Sequence, residues 1–275
     1  MSELTFCFEI LGSGTSHGVP SIGCTCAVCS STNPFDNRMR QCAILHVSDG
    51  TNILIDSGPE IRLQLLRAKV SKIDYAIFTH PHADHMHGLD DLTVISKNHD
   101  LPLYMNKETL PDFKTRFHYL FNEKTGPARK HRMTLNIIDE NPFKLGNVNI
   151  TPIPLLHGKM LVFGYRFGNL AYCTDTNKIP ENSYEILKGV EILFIDGLAP
   201  YVHPTHFSYE QALDEIGKIK PKKAFLIHLS HKTSHEDLDK FILEYKEKKP
   251  ELQDIEIHPS YDGLVIENVL LNRNE

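Results

Sequence analysis

Four side chains able to bind a metal ion fall within six residues of this chain. They are His80, His82, Asp84 and His85, in the run Phe78-Thr79-His80-Pro81-His82-Ala83-Asp84-His85-Met86-His87-Gly88. Neutral imidazoles and carboxylates are the usual ligands of zinc and related divalent ions. His80 and His82 are one residue apart, so at an extended strand end their rings project the same way and share one ion. Asp84 and His85 follow directly, and a chain turning into a helix there aims them at a second site beside the first. A single histidine is usually a surface or hydrogen-bonded core residue. Four such groups crowded at a buried strand end without a metal would leave polar atoms unpaired, and the cluster therefore predicts a metal centre.

A second, softer set lies in Gly23-Cys24-Thr25-Cys26-Ala27-Val28-Cys29. Thiolates at that spacing converge on one ion through a tight turn, as in compact tetrahedral zinc sites, and three of them leave a fourth ligand to be found. The opening Met1 to Leu11 has no basic flank ahead of a long apolar core, so it reads as a first strand and not as a signal peptide. A cytoplasmic, reducing location follows, in which clustered cysteines point to metal and not to disulfides. Cys7, Cys42 and Cys173 sit in apolar, strand-like surroundings and are expected in the core.

The elements that must position these groups read as apolar runs. Residues 73 to 78 feed the histidine cluster as a buried strand should. Residues 4 to 11 form a strand leading into Gly12-Ser13-Gly14-Thr15-Ser16-His17-Gly18, whose glycines match neither phosphate-loop pattern. Residues 41 to 47 and 52 to 56 form a hairpin around Ser48-Asp49-Gly50-Thr51. The hairpin's second strand ends at Asp56, read here as an acceptor for a ligand histidine, with a turn or capping role as the alternative. A helix supported by Ile61, Leu65 and Leu66 follows, with Pro59 in its first turn. Asp90 and Asp91 either flank the site or are simply solvated. Residues 97 to 134 are poorly legible, with a helix expected over about 107 to 118.

Strands return at 135 to 138, 148 to 153, 161 to 167 and 170 to 173, the last two joined by Gly168-Asn169. The final third alternates strand and helix: strands at 192 to 195, 223 to 227, 255 to 257 and 263 to 266, with helices from Ser208 to about 218 and Ser234 to 247. Ser208 with Gln211 is a helix-start signature. Two strand-rich halves, each with helices, suggest an α/β fold of two sheets back to back with helices outside. The whole of 1–275 reads as one domain with a cysteine-rich insert at about 23–30.

With 41% hydrophobic and 23% charged residues the composition is that of an ordinary globular chain. The net charge of -6 and the lack of a basic run give no footing for a broad nucleic-acid surface, and no apolar stretch is long enough to cross a bilayer.

His80-x-His82-x-Asp84-His85 resembles the signature of the metallo-β-lactamase superfamily of binuclear metallohydrolases. Leu11 to Ser16 with Gly18-Val19-Pro20 resembles the opening of its PhnP-like phosphodiesterases. The resemblance implies an αββα sandwich and further ligands at strand ends, for which the chain offers His157, Asp175 and His228 in that order. It implies that His80, His82 and His157 hold one ion, that Asp84, His85 and His228 hold the other, and that Asp175 bridges them. The ions would be zinc or manganese, with iron a third option. True zinc β-lactamases usually carry cysteine where Asp175 falls and lack a partner like His85, so antibiotic hydrolysis is disfavoured. His231, three residues after His228, is the candidate fourth ligand of a structural zinc with Cys24, Cys26 and Cys29, as in the PhnP-like enzymes.

The implied chemistry is hydrolysis by a hydroxide held between the ions and oriented by Asp84. A phosphodiester also needs an acid for its leaving oxygen, and histidine suits that task. His206, in His203-Pro204-Thr205-His206-Phe207-Ser208, resembles the substrate-side histidine of this branch. His203 reads as a surface residue, and His17 is a weaker candidate for touching substrate. The resulting expectation is a phosphodiesterase for a small or cyclic phosphodiester, with a homodimer implied by the family alone. A thioesterase like glyoxalase II is the enzyme alternative, and a binding module that has lost catalysis is a further one. The latter predicts missing ligands, and none is missing.

Overall fold

Alternation of half-buried and buried side chains along β1 (Thr5–Gly12) puts Phe6, Phe8 and Ile10 on one face. The same logic builds β2 (Cys42–Val47), β3 (Asn52–Ile55), β4 (Tyr75–Ile77), β5 (Leu101–Met105) and β6 (Met133–Ile137). Next come β7 (Phe143–Leu145), β8 (Val148–His157), β9 (Met160–Phe167), β10 (Leu170–Cys173), β11 (Ile192–Asp196) and β12 (Lys223–Ile227). The last strands are β13 (Glu256–Pro259) and β14 (Val265–Leu270). This is a computed structural model that describes residues 4–97, 99–121 and 132–270. One seven-stranded sheet runs β14-β1-β2-β3-β4-β5-β6 and the other β13-β12-β11-β10-β9-β8-β7.

Phe8 meets Phe167, Tyr172 and Phe194 across the space between the sheets, with its ring 4.9 Å from that of Phe194. A single core cluster drawn from both sheets fills that space. Two further clusters lie on the outer faces. One involves α1 (Ile61–Arg67), α2 (Ala83–Met86), α3 (Leu89–Leu92), α4 (Leu110–Arg116) and α5 (His118–Phe121). The other involves α6 (Glu181–Leu187), α7 (Tyr209–Ile219) and α8 (His235–Glu247). Helix, sheet, sheet, helix is the expected sandwich. Ser208 caps α7 through a reciprocal bond pair with Gln211, as its sequence suggests.

Strand direction decides where function can sit. Strands β3 to β6 are mutually parallel, as are β10 to β13, and β8 runs the same way as β10 because each is antiparallel to β9. The C-terminal ends of β3, β4, β8, β10, β11 and β12 therefore gather at one rim, the usual place for a site in sheets of this kind.

Several local expectations need correction. Cys7 is half-buried, because it alternates with Phe6 and Phe8 onto the other face of β1, whereas Cys42 and Cys173 are core residues. Leu66 is exposed; α1 buries Ile61 and Leu65 but turns Leu66 outward, and Pro59 precedes the N-cap Glu60. The helix expected over 107 to 118 is two short helices broken at Phe117. The stretch 97 to 134 also contains β5 and the start of β6, with residues 98 and 122–131 outside those described. Short β7 and α6 had no clear signal. Among the described residues no helix is long and apolar enough to cross a membrane.

Candidate metal centre

The run that carries the cluster leaves β4 at Ile77, extends through His82, and turns into α2 at Ala83. The extended part presents His80 and His82, with ring centroids 4.6 Å apart, and the turn presents Asp84 and His85. His157 arrives from the end of β8, Asp175 from just beyond β10, and His228 from just beyond β12. The fold thus brings all seven residues to one rim. His80, His82, His157 and Asp175 offer ligand atoms within 4.8 Å of one another, and so do Asp84, His85, Asp175 and His228. Asp175 belongs to both sets. Its Oδ1 lies 3.2 Å from His85 Nε2, and its Oδ2 lies 3.7 Å from His80 Nε2 and 3.4 Å from His228 Nε2.

The donor set fits divalent cations. His80 Nε2, His85 Nε2, Asp84 Oδ2 and both ring nitrogens of His228 are buried and have no hydrogen-bond partner among the described residues. Orphaned buried polar atoms are costly, and these converge on common points that a cation would satisfy. The charge balance agrees. Burial alone would raise Asp84, but His85 and His228 beside it hold its carboxyl well below the carboxylate range. Asp175 is likewise held low against burial by His228 and His85. Burial and the neighbouring His85 push His80 well below the imidazole range, into the neutral form that binds metal.

A further layer aims the rings. Asp56 is wholly buried and its Oδ2 lies 2.7 Å from Nδ1 of the candidate ligand His85, where it can accept the ring N–H. Its carboxylate also accepts from the Thr79 backbone N–H and hydroxyl, both at 2.9 Å, while Thr79 Oγ1 sits 2.9 Å from His80 Nδ1. His157 Nδ1 donates to the Thr205 carbonyl at 2.8 Å. Close packing makes this possible. A Cβ on Gly58 would stand 2.2 Å from the Asp84 carbonyl, and one on Gly88 2.1 Å from the Gly58 carbonyl, so only glycine lets these loops interlock. Of five non-glycine residues with positive φ among the described residues, three are Asp56, Asp175 and His228, and the other two follow helix ends. Strained backbone thus concentrates at this rim.

His206 stands against the centre, its ring stacked on His228 and edge-on to His157, each at 4.6 Å. Asp196, at the end of β11, holds its Nδ1 at 2.6 Å and also accepts the Thr176 backbone N–H. Burial opposes a charge on His206, but the Asp196 carboxylate overrides it and pushes the imidazole up to about 9. His203 is half-buried with its ring 5.2 Å from that of His206, closer to the site than a plain surface residue. His17 is exposed, with its Nδ1 3.4 Å from the Ser16 hydroxyl.

The cysteine set closes as well. His231 Nδ1 lies 3.3, 3.5 and 3.3 Å from the sulfurs of Cys24, Cys26 and Cys29, all four half-buried. The backbone amide of Cys29 points at Cys26 Sγ and leads the lowering of that thiol to about 6, while burial pushes Cys29 up. Four donors of this chemistry at these separations suit a tetrahedral zinc.

Sequence reasoning missed Asp196, Thr79 and Gln41, the last of which accepts the His228 backbone N–H. Asp196 had a usable signal, an apolar strand ending in a carboxylate as β3 does just before Asp56. Gln41 and Thr79 had none.

Comparison with known proteins follows the same outline. A model of the β-lactamase superfamily domain matches residues 51–229. A crystal structure of a diphosphatase from the PhnP family is 36% identical, with a TM-score of 0.86 over 98% of this chain and 100% of that one. A human tRNase Z, short form, at 17% identity and a TM-score of 0.66 over 94% and 98%, shares the fold. An octanoyltransferase of Porphyromonas gingivalis is 37% identical over 256 residues, 93% of this chain and 50% of that protein. An exodeoxyribonuclease YycJ of Bacillus anthracis is 24% identical over 151 residues, 52% of this chain and 53% of that protein. The chain spans about half the length of these two curated relatives.

Proposed function

Because this chain belongs to the metallo-β-lactamase superfamily, in its PhnP-like branch, we propose that it is a hydrolase with two divalent ions that cuts a small or cyclic phosphodiester. The observation that carries this reading is the Asp196–His206 pair placed against two ligand sets that share Asp175. His80, His82, His157 and Asp175 would hold one ion, and Asp84, His85, Asp175 and His228 the other. When bound, such a pair acidifies a shared water and draws charge from the phosphate oxygens. Zinc, manganese and iron all suit imidazole and carboxylate, and a structural zinc would sit among Cys24, Cys26, Cys29 and His231.

The chain's own groups divide the work. Asp84 accepts a hydrogen bond from the attacking water and keeps it directed at phosphorus. As the bond to the leaving oxygen breaks, His206 passes it a proton from Nε2, and Asp196 at Nδ1 stabilises the tautomer and ring orientation that this needs. The net charge of -6 favours a small substrate over a nucleic acid. A cytoplasmic location, expected from the reading of the opening residues as a strand, and the homodimer implied by the family belong to this reading without entering its chemistry.

The test compares two diesters. Bis(p-nitrophenyl) phosphate expels a phenolate that needs little protonation, whereas an alkyl diester expels a poor leaving group. His206→Ala should cost the alkyl diester on the order of 10²- to 10⁴-fold in kcat, and the activated diester about tenfold or less. Equal losses on both would overturn the acid role. A second reading rests on the octanoyltransferase relative, whose name denotes acyl transfer. It makes the centre a thioesterase, and turnover of an octanoyl thioester that is indifferent to His206→Ala, with no diesterase activity, would favour it.

A further inference from the structure

Four histidines at the rim are oriented through Nδ1: His80 by Thr79, His85 by Asp56, His157 by the Thr205 carbonyl and His206 by Asp196. His82 stands at the exposed mouth. His228 is the exception, buried at 1% exposure with neither ring nitrogen hydrogen-bonded among the described residues. Nothing bonded to the ring aims it, and its backbone is in the left-handed region at φ 59°. An ordinary residue leaves that region unless its surroundings forbid it.

Backbone hydrogen bonds hold Ile227 and Leu229 on either side of it, and one side chain grips the His228 amide itself. Gln41, wholly buried just before β2 of the first sheet, accepts the His228 backbone N–H on Oε1 at 3.0 Å. Its Nε2 donates to the hydroxyl of Tyr172 on β10, also at 3.0 Å, and that ring is pinned against Phe8. Gln41 thus spans the two sheets, anchored at one end and gripping the His228 amide at the other. Without it the amide would be buried and unpaired, and the turn after β12 would relax toward commoner backbone angles, swinging the ring away.

We infer that Gln41 is a positioning residue for the metal centre, holding the His228 backbone left-handed across the sheet interface and so aiming the ring at Asp84 and Asp175. The inference deepens the two-ion reading above and rests on it for its effect on metal, though not for its effect on the backbone. Gln41→Met removes both hydrogen bonds at similar volume, Gln41→Glu restores an acceptor, and Tyr172→Phe removes the anchor while leaving the grip.

Metal content after dialysis against a weak chelator, kcat and KM, and amide exchange in the metal-free chain decide the matter. Wild type should keep three ions per chain. Gln41→Met should bind the ion shared by Asp84, His85 and His228 about 10- to 100-fold more weakly, with a similar fall in kcat and little change in KM. Gln41→Glu should recover most of both, and Tyr172→Phe should keep ion and kcat even if it melts as early as Gln41→Met. In the metal-free chain the His228 amide should exchange at least about tenfold faster in Gln41→Met than in wild type, with the His85 amide unchanged. Equal metal retention in Gln41→Met and wild type, equal losses in Tyr172→Phe and Gln41→Met, or an unaltered His228 exchange rate would each overturn the inference. Should wild type hold fewer than two ions outside the cysteines, the two-ion reading fails, and the exchange rate alone then supports or overturns the role of Gln41.

Discussion

The chain builds two ligand clusters by opposite means. The histidine and aspartate cluster is assembled from the ends of β4, β8, β10 and β12, most of its members are buried, and a layer of Asp56, Thr79 and Thr205 orients it, with Asp196 holding His206 beside it. The cysteine cluster is a half-buried loop closed on His231, with backbone amides pointing at its sulfurs. In the first, packing of the two sheets and the orienting hydrogen bonds would position most of the donors. In the second, the ion itself would do most of the organising. Both are reached by the segment after β12, which supplies His228 to one and His231 to the other.

The sharpest way to break the comparison is Asp175→Ala. Asp175 alone belongs to both halves of the rim cluster, so its loss should release both ions there and leave the cysteine site filled. Losing an interaction of about 4 kcal/mol in the transition state means a ~10³-fold fall in kcat/KM. Metal analysis checks the first part and kinetics the second. A variant that keeps both rim ions would show that Asp175 is not shared.

Asp56→Asn tests whether pre-assembly matters, because Asp56 touches no candidate ion site directly but holds His85 and Thr79. Metal affinity at the rim should fall about 10- to 100-fold, with the cysteine site unaffected. Crystals of the metal-free variant should show His85 rotated. Unchanged affinity would mean the strands alone suffice to aim the ring.

Sequence legibility follows the same divide. The rim donors were readable because each ends an apolar run, and the cysteines because three thiols so close have few other uses. What orients the donors was mostly hidden. Thr79 and Gln41 act through one hydroxyl and one amide that reach Asp56 and the His228 backbone far along the chain, and no spacing announces them. The fold was legible where alternation and caps agree, as at β1 and Ser208. It was not in β5, whose Leu101-Pro102 opening looks like a loop, nor at Cys7, whose half-buried face depends on which sheet face meets the other.

The smallest expected effect concerns catalysis in Cys26→Ser. Losing one thiolate should empty the structural site, yet kcat should change by less than about threefold, under about 0.7 kcal/mol. The reason is that the segment between the clusters is held independently of the cysteines. Leu229 exchanges backbone hydrogen bonds with Ser13 and Thr15, and the wholly buried Arg38 donates to the carbonyls of Ser230 and Thr233 while pairing with Asp36. His228 should therefore stay in place while the loop around residues 19 to 31 loosens. Limited proteolysis reads this directly, with new cleavage within that loop in Cys26→Ser and in chelator-treated wild type, and the two sheets left intact. A large fall in kcat would instead mean that the cysteine site is needed to hold His228, and that the two clusters are one device.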